Sequence, residues 1–216
     1  MATVTRRDGP ATLKGVPYAT YLQLRNAPGN QGLRMTYFDG TLEIMSPEYR
    51  HENPTRKFDL LIRNIVAAFG IPCTCAGSTT FRKGGPGPKR GHGKEPDTSF
   101  YFNNLALIAS KQTIDLETDP PPDLWIEVDN RASSRGRLPV YAALGIPEVW
   151  RYRVGTGRLW FGRLENEAYT EIDRSTVLPM LTPPLVQFAL AQCGADQTAW
   201  DLWLRAWAAG GLATDA

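Results

Sequence analysis

The chain has 216 residues, of which 42% are hydrophobic and 10% aromatic, so one domain can bury a substantial core. No apolar run approaches the roughly 18 residues that a membrane span needs, and the first residues lack the hydrophobic stretch of a secretory signal. The net charge of +2 says little about partners until its distribution is known. We expect a single cytoplasmic domain over residues 1–216, without a membrane partner and with a flexible N-terminus over 1–17.

The first predicted elements are a helix and a hairpin. The segment YATYLQLR, residues 18–25, predicts a short helix. In LRMTYFDGTLEIMSP, residues 33–47, apolar and polar residues alternate around Asp39-Gly40, a strong short-range hairpin signal. We therefore predict two antiparallel strands joined at this turn.

A long helix is predicted over residues 51–70. Its apolar residues are spaced 3, 1, 3, 1 and 3 apart, which places them on one helix face: Phe58, Leu61, Ile62, Ile65, Val66 and Phe69. Pro54 suits the first turn of this helix, and Gly70 suits its C-terminal cap.

The next segment is predicted to combine strands with a basic loop. CTCAGSTTFRK (73–83) and PDTSFYF (96–102) read as strands. Between them, RKGGPGPKRGHGK contains five basic residues and no acidic one. Because glycine and proline disfavour helix and strand, we predict a mobile basic loop over 83–95 that either contacts phosphates or is a solvated surface insertion.

The chain carries three cysteines, Cys73, Cys75 and Cys193. An odd number cannot pair completely, and one C-x-C without a second cluster is a weak metal signal. We expect reduced thiols.

A buried strand ending in acids is predicted at DLWIEV, residues 123–128. Its nearly continuous apolar run is typical of a strand covered on both faces. NRASS then supplies turn and cap residues, with Ser133 or Ser134 as the cap, and RGRLPVYAALG (135–145) predicts a short helix.

The remaining segments predict strands and then helices. PEVWRYRVGTGRLWFGRL (147–164) reads as two strands around a Gly-Thr-Gly turn, AYTEI (168–172) as another, and residues 183–209 as C-terminal helices. Three tryptophans of the last helix, spaced 3 and 4 apart, are expected to serve packing: Trp200, Trp203 and Trp207. The order of elements predicts an α/β (mixed α+β) domain with one central sheet.

Three acids mark the candidate site. Asp97 begins one predicted strand, Glu127 ends the next buried one, and Asp129 lies two residues further on the same strand face as Glu127. If the strands pair, Asp97 and Glu127 converge and repel unless a cation compensates them. Mg²⁺ prefers such oxygen ligands and would suit phosphodiester hydrolysis. The alternative is that Glu127 and Asp129 are ion-pair or cap partners of nearby arginines: Arg131, Arg135 or Arg137.

Several distinctive motifs occur together in this sequence: PD at 96–97, PPDLWIEVD at 121–129, FDGTLEIMSP, RHENP, YAALGIPEVWRY and a tryptophan-rich C-terminus. In combination they resemble the Uma-type family of putative restriction endonucleases, within the PD-(D/E)XK nuclease superfamily. The resemblance covers most of the chain, from about residue 20 to about residue 208. It implies a restriction-endonuclease-like core, with a central mixed β-sheet that carries the acids and is flanked by helices.

The resemblance also implies roles for individual residues. Asp97 matches the motif aspartate and Glu127 the D/E position, so both would be ligands of Mg²⁺ or Mn²⁺, together with the backbone carbonyl of Val128. Glu52 stands where relatives place an additional acid, although an acid in a first helical turn is also favourable through the helix dipole. Glu43 also matches a commonly acidic position, but its place in a predicted strand favours a surface residue.

The sequence departs from the family pattern at the lysine. Asp129 stands where the superfamily motif has lysine, and Arg137 stands where relatives place a lysine on the following helix, shortly before Tyr141. Arginine can clamp a phosphate, but it cannot act as a general base because its pKa lies above about 12. Gly136 also replaces an acidic residue of the family.

Three hypotheses follow. The first is a Mg²⁺- or Mn²⁺-dependent endonuclease acting on DNA through Asp97, Glu127, Glu52 and Arg137, and double-strand cleavage would favour a homodimer because one site cuts one strand. The second is a catalytically degenerate protein that binds nucleic acid, with Arg137 in place of the lysine. Its expected contacts are Arg137 and six residues that the first hypothesis shares, namely Lys83, Lys89, Arg90, Lys94, Arg131 and Arg135. The third is a structural or interaction domain whose acids serve only as ion-pair partners.

Overall fold

The computed structural model describes residues 11–30, 32–45, 49–85, 87, 90–129 and 134–213, without the side chains of 49–52 and 134–135. The strands within these residues are β1 (Ala11–Lys14), β2 (Arg34–Phe38), β3 (Thr41–Met45), β4 (Thr74–Cys75), β5 (Phe81–Gly84), β6 (Gly91–Lys94), β7 (Thr98–Tyr101), β8 (Leu124–Asp129), β9 (Glu148–Arg153), β10 (Arg158–Glu165) and β11 (Ala168–Ile172). The helices are α1 (Tyr18–Asn26), α2 (Tyr49–Ala68), α3 (Leu105–Ile108), α4 (Leu138–Ala143), α5 (Pro183–Ala191) and α6 (Gln197–Ala209), and a 3₁₀ turn at Ser134–Arg137 precedes α4.

The strands of the described residues form two sheets instead of the one central sheet that we predicted. The first sheet has the order β1-β3-β2-β6-β5, and the second has the order β11-β10-β9-β8-β7-β4. The chain passes from the first sheet to the second within three residues, Glu95 to Asp97, between β6 and β7. The mixed α/β class is confirmed, but the sequence pattern could not reveal that consecutive strands belong to different sheets.

The predicted hairpin is confirmed in the first sheet. Strands β2 and β3 pair antiparallel, and the turn between them has a positive φ at both Asp39 (41°) and Gly40 (86°). Aspartate and glycine tolerate this conformation better than other residues, which is why this dipeptide fixes the turn. One face of the sheet packs on α1 through Tyr21 and Tyr37, whose rings stack 5.0 Å apart.

The prediction of a mobile loop over 83–95 is wrong where the structure describes this segment. Strands β5 and β6 pair antiparallel there, with Phe81 opposite Lys94 and Gly84 opposite Gly91. The glycines are required by packing, because a Cβ at Gly91 would lie 2.6 Å from the Tyr18 ring and one at Gly93 would lie 2.2 Å from the Tyr21 hydroxyl oxygen. The glycine-rich segment that suggested a loop therefore forms a strand, and the aromatic rings of α1 pack directly on its backbone.

The N-terminal prediction also needs correction. Residues 1–10 lie outside the described part of the chain, but Ala11–Lys14 forms β1, which pairs with β3 along its whole length. Its four residues, ATLK, alternate apolar and polar side chains, but all four are exposed and the run is too short to predict a strand. Backbone pairing with a sheet edge therefore orders residues whose side chains carry little signal.

The second sheet is centred on β8, which is buried along its whole length, as predicted. It pairs antiparallel with β7 and parallel with β9. Leu124, Ile126 and Val128 belong to the larger core, which includes residues of α2, α5 and α6. Trp125 points to the opposite side, where a smaller core contains Tyr141 of α4. This alternation carries Glu127 and Asp129 onto the side of α4 and the first sheet.

The long helices follow the sequence closely. Helix α2 begins at Tyr49, two residues before the predicted start, so Pro54 lies beyond its first turn. Its apolar face is buried except at Phe69, and Gly70 ends it with a φ of 64°. The C-terminal helices are confirmed, with Trp200 and Trp207 buried and Trp203 stacked on Trp207 at 5.3 Å. The tryptophans serve packing, as expected.

Two further expectations concern membranes and thiols. Among the described residues, none of the helices combines the length and the hydropathy required to cross a bilayer. The three cysteines are free thiols, as predicted. Burial raises the pKa of Cys73 to about 12, so this thiol stays protonated at neutral pH.

Candidate active site

Asp97 and Glu127 lie opposite each other on neighbouring strands. Thr98 of β7 pairs with Ile126 of β8, and the same antiparallel register continues to Asp97 and Glu127. Only 8% of Asp97 and 4% of Glu127 is exposed. The backbone N–H of Val128 donates a 2.6 Å hydrogen bond to Oδ2 of Asp97, which fixes that carboxylate against β8. The structure therefore brings together the two acids that the sequence predicts to converge.

Two cationic side chains from the first sheet reach these acids. Arg34 of β2 donates a hydrogen bond to Oδ1 of Asp97. Lys94 of β6 places its Nζ 3.1 Å from Oε1 of Glu127, to which the indole N–H of Trp125 also donates at 2.6 Å. Both cations lie on the sheet face opposite α1, because Tyr37 pairs with Gly93 and the neighbouring positions point the other way.

Burial strongly affects the ionisation of Asp97. Loss of water raises the pKa of its carboxyl group, and the neighbouring charge of Glu127 raises it further. The pKa of Asp97 is lowered by Arg34, Lys94 and the hydrogen bond from Val128 N–H, but not enough to cancel the increase. A buried carboxyl group whose ionisation is disfavoured by burial and by a neighbouring carboxylate is one that a further cation would stabilise.

Asp129 has a cation of its own. Arg151 of β9 places Nη2 2.9 Å from Oδ2 of Asp129, and both side chains are mostly buried. The structure thus shows ion pairs for both acids with cations that the alternative did not name. Glu127 pairs with Lys94 and Asp129 with Arg151, while Arg131 and the side chain of Arg135 lie outside the described residues.

Arg137 is held by Glu43 of the first sheet. Its Nε and Nη2 donate to Oε2 of Glu43 at 3.3 and 3.1 Å. Burial lowers the pKa of Arg137, but the charges of Glu127, Tyr141 and Glu43 together raise it by more, so the guanidinium stays protonated. Glu43 and Arg137 therefore form one ion pair at the edge of the site. The sequence alone had left the roles of both residues open.

Tyr141 of α4 is a buried residue that contacts Trp125 and Lys94. Its ring is fully buried, 5.4 Å from the Trp125 ring, and Lys94 Nζ is 5.8 Å from its centroid. Among the described residues, its hydroxyl has no hydrogen-bond partner. Burial raises the pKa of this phenol, and the nearby charge of Glu127 raises it further.

A family model described as Uma2, putative restriction endonuclease, matches residues 18–192. The chain belongs to the Uma2 family. A solved structure described as a putative nuclease of DUF820 from Anabaena variabilis ATCC 29413 has the same fold, with a TM-score of 0.51 over 88% of this chain and 99% of that one, at 15% identity. No curated protein matches. Membership of this family and the shared fold confirm the family and the fold class predicted from the motifs.

The other predicted site residues of this Uma2 protein have different outcomes. The Glu52 side chain lies outside the described residues, as do Lys89 and Arg131. Lys83 and Arg90 lie on the β5–β6 hairpin, and the carbonyl of Val128 as a metal ligand stays a prediction. Lys94 is only 6% exposed, so its predicted place in a mobile basic surface loop is wrong.

Sequence reasoning missed Arg34 and missed the role of Lys94 beside Glu127. Arg34 lies 63 residues before its partner, in a strand of the other sheet, and nothing in the local sequence indicates the contact. Lys94 had one available signal, because it is separated from Asp97 by only two residues. Its place in a glycine-rich segment led to the loop prediction and obscured that signal.

The carboxylate pair fits a divalent cation with few protein ligands. The described residues contain no group of three or more His, Cys, Asp or Glu side chains that could hold a metal. Mg²⁺ commonly uses one or two carboxylates and completes its shell with water or phosphate oxygens, so two acids suffice. The contacts that Glu127 makes within the described residues fall on Oε1, which leaves Oε2 for an ion.

Proposed function

We propose that this Uma2 protein is an endonuclease that hydrolyses phosphodiester bonds in DNA with the help of Mg²⁺ or Mn²⁺. The observation that carries the proposal is the buried pair Asp97 and Glu127, which face each other across β7 and β8. Arg34 and Lys94 compensate this pair only in part, because the pKa of Asp97 stays raised, so a further cation would stabilise it. The family and the shared fold support the same chemistry.

In this proposal Asp97 and Glu127 are the ligands of the ion, with the Val128 carbonyl as a third candidate. The bound ion supplies a polarised water and offsets negative charge on the phosphate. Val128 N–H donates to Oδ2 of Asp97, and Trp125 Nε1–H donates to Oε1 of Glu127. These two hydrogen bonds fix the orientation of both carboxylates. Arg34 and Lys94 add positive charge beside them, which favours an anionic substrate over a neutral one.

Metal dependence tests the proposal. Incubated with supercoiled plasmid and Mg²⁺ or Mn²⁺, the purified protein should convert it to nicked or linear DNA, and EDTA should prevent this. A preparation carrying both D97A and E127A, purified identically, controls for contaminating nucleases. Equal nicking by wild type and the double variant would reject the proposal.

A specific observation supports a second candidate, a protein of this fold that binds nucleic acid without cleaving it. Each acid already has a cation, Arg34 for Asp97 and Lys94 for Glu127, so part of their repulsion is compensated without a metal. This candidate predicts tight duplex binding without cleavage, with a log-log salt slope of about −3 to −4 if roughly four phosphates are neutralised. Fluorescence anisotropy between 50 and 200 mM salt, run with the plasmid assay, separates the two candidates.

A further inference from the structure

We propose that Lys94 and the hydroxyl of Tyr141 are catalytic residues that contact the reacting phosphate, and that Arg137 does not take this role. The inference rests on the proposed function and assigns further residues to the same site. It concerns a lysine that reaches the acids from the first sheet, and not Arg137, to which the sequence pattern assigned this role.

Lys94 is placed to donate to a substrate. Its ammonium carries three N–H donors, of which one donates to the carbonyl of Glu95 at 2.9 Å, while Nζ lies 3.1 Å from Oε1 of Glu127 as an ion pair. Lys94 donates no other hydrogen bond within the part of the chain that the structure describes, so the ammonium keeps donor capacity for a substrate. A buried ammonium is costly to maintain without an anionic partner. Because Lys94 contacts Glu127, a proposed metal ligand, an anion bound to that metal would lie next to the ammonium.

Tyr141 provides an independent observation. Its hydroxyl is fully buried and lacks a partner within the described part of the chain, although a buried hydroxyl without a hydrogen bond costs free energy. The ring lies under Lys94 and beside Glu127, so an oxygen of a bound phosphate or water is the natural partner that this group lacks. Lys94 and Tyr141 together present two donors next to one carboxylate.

Arg137 already has a carboxylate partner outside the proposed metal ligands. Its Nε and Nη2 both donate to one oxygen of Glu43, at the edge of the first sheet, although the charge of Glu127 also acts on the guanidinium. The position of the guanidinium is therefore set by Glu43. Lys94 needs no rearrangement, because it already contacts Glu127.

The chemistry requires no proton transfer by Lys94. A bond forms between a water oxygen and phosphorus, and an ester P–O bond breaks, with its electron pair moving to the departing oxygen. Water contributes its hydroxyl to phosphorus and its proton to the departing oxygen. Lys94 remains an ammonium and offsets the negative charge that grows on the phosphoryl oxygens, while Tyr141 donates a hydrogen bond to one of them.

Paired substitutions test the inference. K94M keeps the length of the side chain but removes its charge, and R137M does the same at the rival position. Where wild type cleaves plasmid, K94M should lose at least about 100-fold in kcat, and R137M should stay within about threefold. The reverse pattern, or equal cleavage by K94M and wild type, would overturn the inference while leaving the proposed function intact.

Two further readouts separate catalysis from structure. Calorimetry should show Mn²⁺ binding at least as tight in K94M as in wild type, because Glu127 loses a competing cation; weaker binding would mean that Lys94 only supports the fold. Y141F should melt at the wild-type temperature yet lose about tenfold in kcat, and it carries the test if K94M does not fold. An unchanged kcat in Y141F would remove Tyr141 from the site, and a wild type without cleavage would overturn the proposed function and this inference together.

Discussion

Replacing Glu127 with glutamine should reduce plasmid cleavage at least about 100-fold while leaving the protein folded. Glutamine keeps the shape and can still accept the hydrogen bond from Trp125 Nε1. It removes the negative charge that faces Asp97 and that would hold the ion. Lys94 would then lack its anionic partner, and its uncompensated positive charge would repel the ion. Mn²⁺ binding measured by calorimetry should therefore weaken as well.

The matched control for this substitution is E165Q. Glu165 is a partly exposed acid on β10 of the same sheet and pairs with Arg163, so it shares the chemistry of Glu127 without its position. Cleavage by E165Q should equal that of wild type. If E127Q and E165Q cleave equally well, Glu127 is not a ligand of the ion and the proposed metal site is wrong.

Replacing Glu148 with alanine should lower the free energy of unfolding by about 3–5 kcal/mol, the largest stability effect that we expect from removing one acid. Glu148 is fully buried and accepts from Trp150 Nε1 at 2.6 Å, Ser175 Oγ at 2.7 Å and the Thr176 backbone N–H at 2.7 Å. The Thr176 hydroxyl also donates to it. Alanine would leave the buried donors of Trp150 and Ser175 without an acceptor, whereas Thr176 is exposed and can donate to water.

Urea denaturation followed by tryptophan fluorescence measures this loss. E165A serves as the control and should change the free energy of unfolding by less than about 0.5 kcal/mol, since exposed ion pairs contribute little. A loss below about 1 kcal/mol in E148A would show that the donors find other partners, and that this network does not anchor the loop after β11.

Much of the fold could be predicted from the sequence, because hydrophobic period and turn chemistry act locally. The period of α2, the Asp39-Gly40 turn and the apolar run of β8 each fix an element without reference to distant residues. The prediction failed where tertiary packing overrides composition. Gly91 and Gly93 lie in a strand despite their composition. These positions require glycine because two tyrosines of α1 occupy the space that a larger side chain would need.

The candidate site was predictable only in part, for a similar reason. Asp97 and Glu127 come from neighbouring strands of one sheet, so their convergence follows from pairing and register. Arg34 and Lys94 reach them from the other sheet, and the pattern of a single strand does not encode that approach. The fate of Arg137 was equally hidden, since its partner Glu43 lies 94 residues earlier.

Both the function and the role of Lys94 depend on whether Asp97 and Glu127 share a divalent ion. Crystals soaked in Mn²⁺ and measured at a wavelength where Mn²⁺ scatters anomalously locate the ion directly. We expect an anomalous peak within about 2.5 Å of a carboxylate oxygen of both Asp97 and Glu127. Mn²⁺ bound elsewhere, or no peak at a concentration that supports cleavage in solution, would contradict the shared site.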